Sequence, residues 1–156
     1  MTPKRFFITG TDTGVGKTLV TGALLLNARA HGLGAVGVKP VSAGCSQAGG
    51  RLVNDDALLL QRLASVPLDY ADVNPVALEP ALAPHIAAAR AGTTLNAALL
   101  AAQVSRVDAG GHDVLLVEGS DFTEASRALE FDFNADVATN LGSPVLLVVR
   151  GSDRSV

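Results

Sequence analysis

Residues 6–18 read Phe6-Phe7-Ile8-Thr9-Gly10-Thr11-Asp12-Thr13-Gly14-Val15-Gly16-Lys17-Thr18. An apolar run, a glycine-bearing turn and the opening of an apolar-periodic segment follow one another. They predict a buried strand, a turn and a helix, which is the layout of a phosphate-binding loop. Glycines let successive backbone N–H groups turn inward, and the helix N-terminus adds partial positive charge, so phosphates are cradled. In such a loop Lys17 reaches the β- and γ-phosphates and the Thr18 hydroxyl binds Mg²⁺. The usual spacing asks for glycine six residues before the lysine. Thr11 stands there, with Gly10 one step earlier. A plain glycine turn capping a helix is the bland alternative, and the preceding strand argues against it.

Composition narrows the classes. The chain has 156 residues, 48% of them hydrophobic and 17% charged, which fits a globular domain with a real core. A net charge of −3 without a basic cluster argues against nucleic-acid binding. The apolar run after Lys4 and Arg5 is too short for a signal peptide, and no run approaches the roughly 20 residues that span a bilayer. The single cysteine, Cys45, excludes an internal disulfide and a cysteine-based zinc site. The expectation is a cytoplasmic protein without a membrane partner.

Working outward, residues 5–9 predict the first strand and Lys17 to about His31 the first helix. Its apolar residues are Leu19, Val20, Ala23, Leu24, Leu26 and Ala30, and Gly32 stops it. Residues 35–40 predict a second strand, and 41–53 a Gly/Ser loop. A helix over 55–63 takes Asn54 or Asp55 as its cap. Residues 67–84 are Pro-rich and read as irregular. A short helix over 85–91 ends at Gly92. Another, capped by Thr93 or Thr94, runs to about Val107. Residues 113–118 are nearly all apolar and predict a strand buried on both faces. Residues 120–133 read as a loop, 134–141 as a short helix, and 144–149 as a further buried strand.

Strands alternating with helices imply an open parallel sheet, with ligands beyond the carboxyl ends of the strands. Gly10, Lys39-Pro40 and Glu118-Gly119 fall at those ends. In phosphate-loop enzymes an acid in the place of Glu118 usually coordinates Mg²⁺. Asp56 opens a helix and reaches the same region; a first-turn dipole role suits it equally. Lys39 faces the cleft, where a second ammonium neutralises a phosphoryl or carboxylate group; a solvated terminal lysine is the alternative. His31 and His112 read as surface loop residues, and His85 as a residue that caps or packs a helix. Cys45 has no identifiable partner base.

Together these residues resemble dethiobiotin synthetases. The matching segments are Thr9-Gly-Thr-Asp-Thr-Gly-Val-Gly-Lys-Thr18, Gly37-Val-Lys-Pro-Val41, Asn54-Asp-Asp-Ala-Leu-Leu-Leu-Gln-Arg62, Leu68-Asp-Tyr-Ala-Asp-Val-Asn-Pro75, Pro84-His-Ile-Ala-Ala88 and Asp113-Val-Leu-Leu-Val-Glu-Gly119. They cover about residues 5–119, and the extra residue in the phosphate loop is that family's form. The resemblance implies a P-loop NTPase-like α/β fold, a three-layer αβα sandwich with a mainly parallel sheet. It implies an ATP-dependent carboxylase that converts 7,8-diaminononanoate, CO₂ and MgATP to dethiobiotin, ADP and phosphate. By carry-over, Lys17 and Lys39 are catalytic. Thr13, Gly14, Val15, Gly16, Lys17 and Thr18 hold the nucleotide. Thr18, Asp56 and Glu118 hold Mg²⁺, and Thr13, Lys39 and Ser42 meet substrate. The family is homodimeric.

The chain departs from that family at four places. Ser42 and Ala43 stand in exchanged order. Ser120-Asp121-Phe122 replaces Ala-Gly-Gly after Glu118-Gly119. Residues 120–149 resemble the N-terminal phosphate-loop domain of phosphate acetyltransferases, which implies a non-catalytic nucleotide-sensing module as the second reading. A generic phosphate-loop ATPase that drives a partner is the third. Finally, the sequence stops after the fourth strand, so residues 1–156 read as one domain, truncated at the C-terminus, with an exposed apolar sheet edge.

Overall fold

The computed structural model describes residues 3–120 and 127–151. In chain order the elements are β1 (Lys4–Gly10), α1 (Lys17–Ala30), β2 (Ala35–Val38), β3 (Val41–Ser42), β4 (Ser46–Ala48), β5 (Arg51–Val53), α2 (Asp55–Leu63), α3 (Tyr70–Val73), β6 (Val76–Ala77), α4 (Pro84–Arg90), α5 (Ala97–Val107), β7 (Val114–Glu118), α6 (Arg127–Leu141) and β8 (Val145–Val148). A 3-10 turn, Asp108–Gly110, links α5 to β7.

The central sheet has the order β2-β7-β1-β8, and every pairing in it is parallel. Alternation along the strands divides the core in two. Phe7, Val36, Val38, Leu115 and Val117 face one side, where Leu100 and Val104 of α5 and Val137 and Leu141 of α6 cover them. Ile8, Ala35 and Leu116 face the other, against Leu25 of α1 and Leu60 of α2. Strands covered on both faces have no polar positions to spare, which is why β7 reads as a continuous apolar run. Each fully buried Phe, Leu or Ile contributes about 1.5–3 kcal/mol. The result is the three-layer α/β/α arrangement expected.

Several boundaries and faces differ from expectation. On α1 the buried residues are Lys17, Thr21, Gly22, Leu25 and Ala28, whereas Leu19 and Leu26 are exposed. The helix is so rich in apolar residues that periodicity allows more than one face. The 41–53 segment is not a loop: β4 and β5 form an antiparallel hairpin closed by Gly49-Gly50. Both glycines have positive φ, 59° and 80°, as a two-residue hairpin turn demands. Residues 67–84 hold α3 and β6, and β6 pairs with β3. The cap of α5 is Asn96, which accepts from Leu99 N–H at 3.0 Å, in place of Thr93 or Thr94. α6 starts at Arg127, well inside the stretch read as a loop; Ala128, Leu129 and Glu130 are strong helix formers. Residues 121–126, including Asp121 and Phe122, lie outside the described residues.

The strand over 144–149 exists, but it is not buried. Val145, Leu146, Leu147 and Val149 are all exposed, Leu147 by 56%. Among the described residues β8 pairs only with β1. An open apolar groove of about 440 Å³, lined by Leu146 of the strand and Leu24 and Ala28 of α1, lies beside it. An apolar run predicts cover on two faces, and among the described residues that cover is incomplete.

Candidate functional site

The site forms at the carboxyl edge of β1, β2 and β7. The register sets Glu118 beside Ile8, immediately before β1 passes into the phosphate loop. Gly14 and Gly16 have φ of 68° and 105°, backbone conformations that residues with a Cβ rarely adopt, so the loop's path depends on them. Gly16 occupies the cap position of α1, and no side chain caps that helix. No side chain therefore covers the helix start, where backbone N–H groups favour an anion.

The side chains brought here by the fold form a connected chain. Thr18 Oγ1 donates to Glu118 Oε1 at 2.8 Å. Lys39 Nζ donates to the same oxygen at 2.8 Å and lies 3.5 Å from Asp56 Oδ2. Lys17 Nζ lies 3.5 Å from the Asp12 carbonyl oxygen, folded back over the loop. Lys17, Lys39 and Glu118 are all buried, Glu118 completely. A buried carboxylate requires compensation, and here an ammonium and a hydroxyl share one of its oxygens. Its other oxygen, Oε2, is buried without a hydrogen-bond partner.

That unpartnered oxygen tests the donor set for a metal. Among the described residues no three His, Cys, Asp or Glu side chains converge. Two carboxylates and a hydroxyl do, and all are hard oxygen donors. Mg²⁺ commonly takes one or two carboxylates and completes its shell with waters and substrate phosphates. Thr18, Asp56 and Glu118 fit it.

Asn54, not Asp55, caps α2: its Oδ1 accepts from Ala57 N–H at 3.2 Å. Asp55 and Asp56 thus fall in the first turn, where the helix dipole favours them. The Asp56 side chain is 39% exposed and free to face the cleft. An open cleft of about 220 Å³ adjoins these groups, lined by Thr13, Lys39, Ser42, Asn54, Asp56 and Ser120, with an apolar wall from residues 81–84. Thr13 N–H donates to Asp12 Oδ1 at 2.8 Å. Ser42 borders the cleft, but its hydroxyl turns inward, donating to Asn74 Oδ1 at 2.7 Å and lying 3.1 Å from Cys45 Sγ. At the end of β7, Asn134 of α6 accepts from Ser120 N–H at 3.2 Å and donates to its carbonyl at 3.2 Å. A Cβ on Gly119 would sit 2.9 Å from Asn134 Oδ1, so only glycine permits this approach.

The matching family is described as an AAA domain (AAA_26), and the match spans residues 4–156. The chain belongs to that family. Among curated proteins it is similar to the ATP-dependent dethiobiotin synthetase BioD of Aeromonas hydrophila, 50% identical over 117 residues, which are 75% of this chain and 52% of that protein. The proteins of the same name from Marinobacter nauticus (41% over 149 residues; 96% of this chain, 63% of that one) and Cellvibrio japonicus (46% over 153 residues; 96% and 64%) also match. The chain thus spans between about half and two-thirds of the length of these relatives. The longer matches run through the segment that resembles phosphate acetyltransferases, so the likeness to dethiobiotin synthetases does not stop near residue 119. Among solved structures, the signal recognition particle receptor FtsY of Elizabethkingia anophelis in complex with GDP gives a TM-score of 0.56 at 17% identity, covering 94% of this chain and 40% of that one. Signal recognition particle 54 kDa protein from Aeropyrum pernix gives 0.54 at 18%, covering 94% and 29%. These two bear on the fold alone, which is that of a P-loop NTPase-like α/β protein.

Every residue expected at the site lies at this edge. What sequence reasoning missed is the layer behind it. Asn74 and Tyr70 sit in the stretch read as irregular, and no local pattern marks them. His112, expected at the surface, is buried. It follows Gly110-Gly111 and turns inward, 3.9 Å from Asp108 Oδ1, with neither ring nitrogen hydrogen-bonded. Burial lowers its pKa below the usual 6.5, and Asp108 and Asp113 oppose the shift. No described helix is long and apolar enough to cross a membrane.

Proposed function

We propose that this protein is an ATP-dependent dethiobiotin synthetase, a ligase that closes a cyclic urea on 7,8-diaminononanoate with CO₂ and ATP. One observation carries the proposal: the unbroken chain Thr18–Glu118–Lys39–Asp56 beside the phosphate loop. A nucleotide loop alone serves many reactions. A second buried lysine, joined to one buried carboxylate and to a second that lines a small cleft, suits a reaction in which several anions meet.

The loop from Thr13 through Gly14, Val15 and Gly16 to Lys17 and Thr18 binds the triphosphate. Thr18, Asp56 and Glu118 would hold Mg²⁺, which neutralises phosphate charge when bound. One amine of the substrate captures CO₂ as a carbamate. A carbamate oxygen attacks the γ-phosphorus, ADP leaves, and a carbamic-phosphoric anhydride remains. The second amine attacks the anhydride carbonyl, the ring closes, and phosphate departs. The amine is its own nucleophile, so the site needs positioning and charge neutralisation more than a strong base. Lys17 follows the β- and γ-phosphates. Lys39 neutralises the carbamate and the transferring phosphoryl group. Thr13 and Lys39 touch the substrate. Ser42, the third residue expected there, borders the cleft with its hydroxyl held by Asn74.

In this reading the protein acts in the cytoplasm as a homodimer, and residues 1–156 belong to one domain. The test is incubation of the protein with diaminononanoate, bicarbonate and MgATP, with dethiobiotin sought by mass. Its appearance in step with ADP is expected. ATP turnover that ignores the diamine, or nucleotide binding without turnover, overturns the assignment.

A further inference from the structure

The segment Leu68-Asp-Tyr-Ala-Asp-Val-Asn-Pro75 has no part in the roles above, yet it contains the most connected buried polar group near the site. Asn74 is 4% exposed. Its Nδ2 donates to the Lys39 carbonyl at 2.6 Å and to the Val76 carbonyl at 3.4 Å. Its Oδ1 accepts from Ser42 Oγ at 2.7 Å and from Tyr70 OH at 3.1 Å. Two carbonyls on one side and two hydroxyls on the other admit a single orientation of the amide, since the reverse would set oxygen against oxygen. The backbone repeats the link, with Lys39 N–H donating to Val73 O at 2.7 Å.

Tyr70 extends the chain to the other half of the site. Its hydroxyl accepts from Asn54 N–H at 2.8 Å while donating to Asn74. Asn54 caps α2, whose first turn carries Asp56. The Arg51 guanidinium, 4.6 Å from the Tyr70 ring centroid, fixes the ring from β5. The bonds therefore run from the backbone of Lys39 through Asn74 and Tyr70 to the helix that presents Asp56. The direct Lys39–Asp56 contact of 3.5 Å has one partner substantially exposed, and such pairs hold geometry weakly.

We propose that Tyr70 and Asn74 are positioning residues: a buried clamp that sets the separation of Lys39 and Asp56, with Ser42 as a member of the clamp. The proposal rests on the reading of the site as a MgATP site. Misplacing a charged group by about 1 Å costs up to a hundredfold in a reaction that depends on orientation. The clamp joins β3, α3 and the start of α2, none of which belongs to the phosphate loop, so its loss affects the contribution of Asp56 and leaves the loop's own grip on phosphate alone.

Tyr70→Phe removes only the hydroxyl and keeps the ring under Arg51. ATP affinity is measured calorimetrically with EDTA and with Mg²⁺, for the wild type and the variant. The expected result is EDTA affinity within twofold and a Mg²⁺-dependent gain about tenfold smaller, the worth of one lost buried hydrogen bond. Amide exchange at Asn54 is expected to quicken at least as much. Ser42→Ala, which removes the other hydroxyl from Asn74, is expected to reduce the same gain and carries the test if Tyr70→Phe fails to fold. An unchanged Mg²⁺ gain in a folded variant of a wild type that shows that gain overturns the clamp alone. Equal loss with EDTA and Mg²⁺ overturns it as well, because that marks general loosening. A wild type without ATP binding overturns the functional reading, and the role assigned to the clamp with it.

Discussion

Strand β7 has a buried charged cluster at each end, and the two are built differently. At its carboxyl end Glu118 meets Lys39, Thr18 and, through Lys39, Asp56, beside an open cleft and a loop of inward-facing amides. At its amino end Arg5 meets Asp108 at 3.3 Å, and Asp108 lies 3.9 Å from His112. Both ends contain buried polar atoms without partners: Glu118 Oε2 at one, Asp108 Oδ1 and both His112 nitrogens at the other. Buried charge and unsatisfied atoms therefore do not by themselves mark a site. What separates the ends is convergence. The carboxyl edge of a parallel sheet receives every strand-to-helix loop, so two lysines, two acids and a helix N-terminus gather at one edge. At the amino end the groups meet each other, and none of them lines the cleft beside Lys39 and Asp56.

The largest effect that sharpens this contrast is expected from Glu118→Gln. It leaves Lys39 buried beside a neutral amide, and breaking a buried pair from one side costs about 3–5 kcal/mol. Chemical denaturation is expected to show that loss, and calorimetry to show ATP affinity that no longer responds to Mg²⁺. A variant as stable as the wild type would mean that Lys39 readily finds another acceptor. Next comes Lys17→Ala. ATP affinity is expected to fall about a hundredfold, the order of one preorganised cationic donor to phosphate. Its melting temperature without nucleotide is expected to move less than that of Glu118→Gln. A smaller effect comes from the amino end. Arg5→Leu breaks a partly buried ion pair, its side chains 26% and 15% exposed, and the expected cost is about 1 kcal/mol, at the upper end for a surface pair. ATP affinity is expected to stay unchanged, because the ends of β7, five residues long, lie about 13 Å apart, beyond the range at which substitutions usually couple. Any change in nucleotide binding by Arg5→Leu would break the separation of the two ends.

The same contrast explains what was legible in the sequence. The positions of Lys17, Lys39 and Glu118 at the carboxyl edge were, because each lies at a sharp local transition: Gly16 to Lys17 at a helix start, Val38 to Lys39 at a strand end, Val117 to Glu118 where an apolar run meets a charge. A period change marks such places within a few residues. The sheet was legible for the same reason, since runs covered on both faces carry no polar positions. The supporting layer was not. Asn74 takes its meaning from Lys39, Ser42 and Tyr70, and the β3–β6 pair joins residues 35 positions apart. No window of sequence contains such a network. Gly49-Gly50 was a readable hairpin signal that three-residue flanking strands were too short to support. The exposure of β8 had a local cause of misreading: an apolar run states what a strand would bury, not whether a covering element is there.

His112 supplies the smallest effect and the finest test of the comparison. Its side chain is buried beside Asp108, and burial depresses its pKa while Asp108 and Asp113 pull it back. A histidine with a lowered folded pKa is neutral in the native state while the unfolded chain already takes up a proton near pH 6.5. Between the two pKa values the unfolded state binds more protons, so stability rises with pH across that window and is fully present above about 6.5. Acidification from pH 7.5 to 5.5 therefore destabilises the wild type through this group. In His112→Gln the titration is gone, so the urea midpoint is expected to fall less over the same interval, whatever the substitution does to packing at pH 7.5. The carboxylates are common to both proteins and cancel in the difference. Parallel curves would show that Asp108 and Asp113 fully offset the burial. The amino end would then be a paired cluster like the carboxyl end, without a phosphate loop beside it.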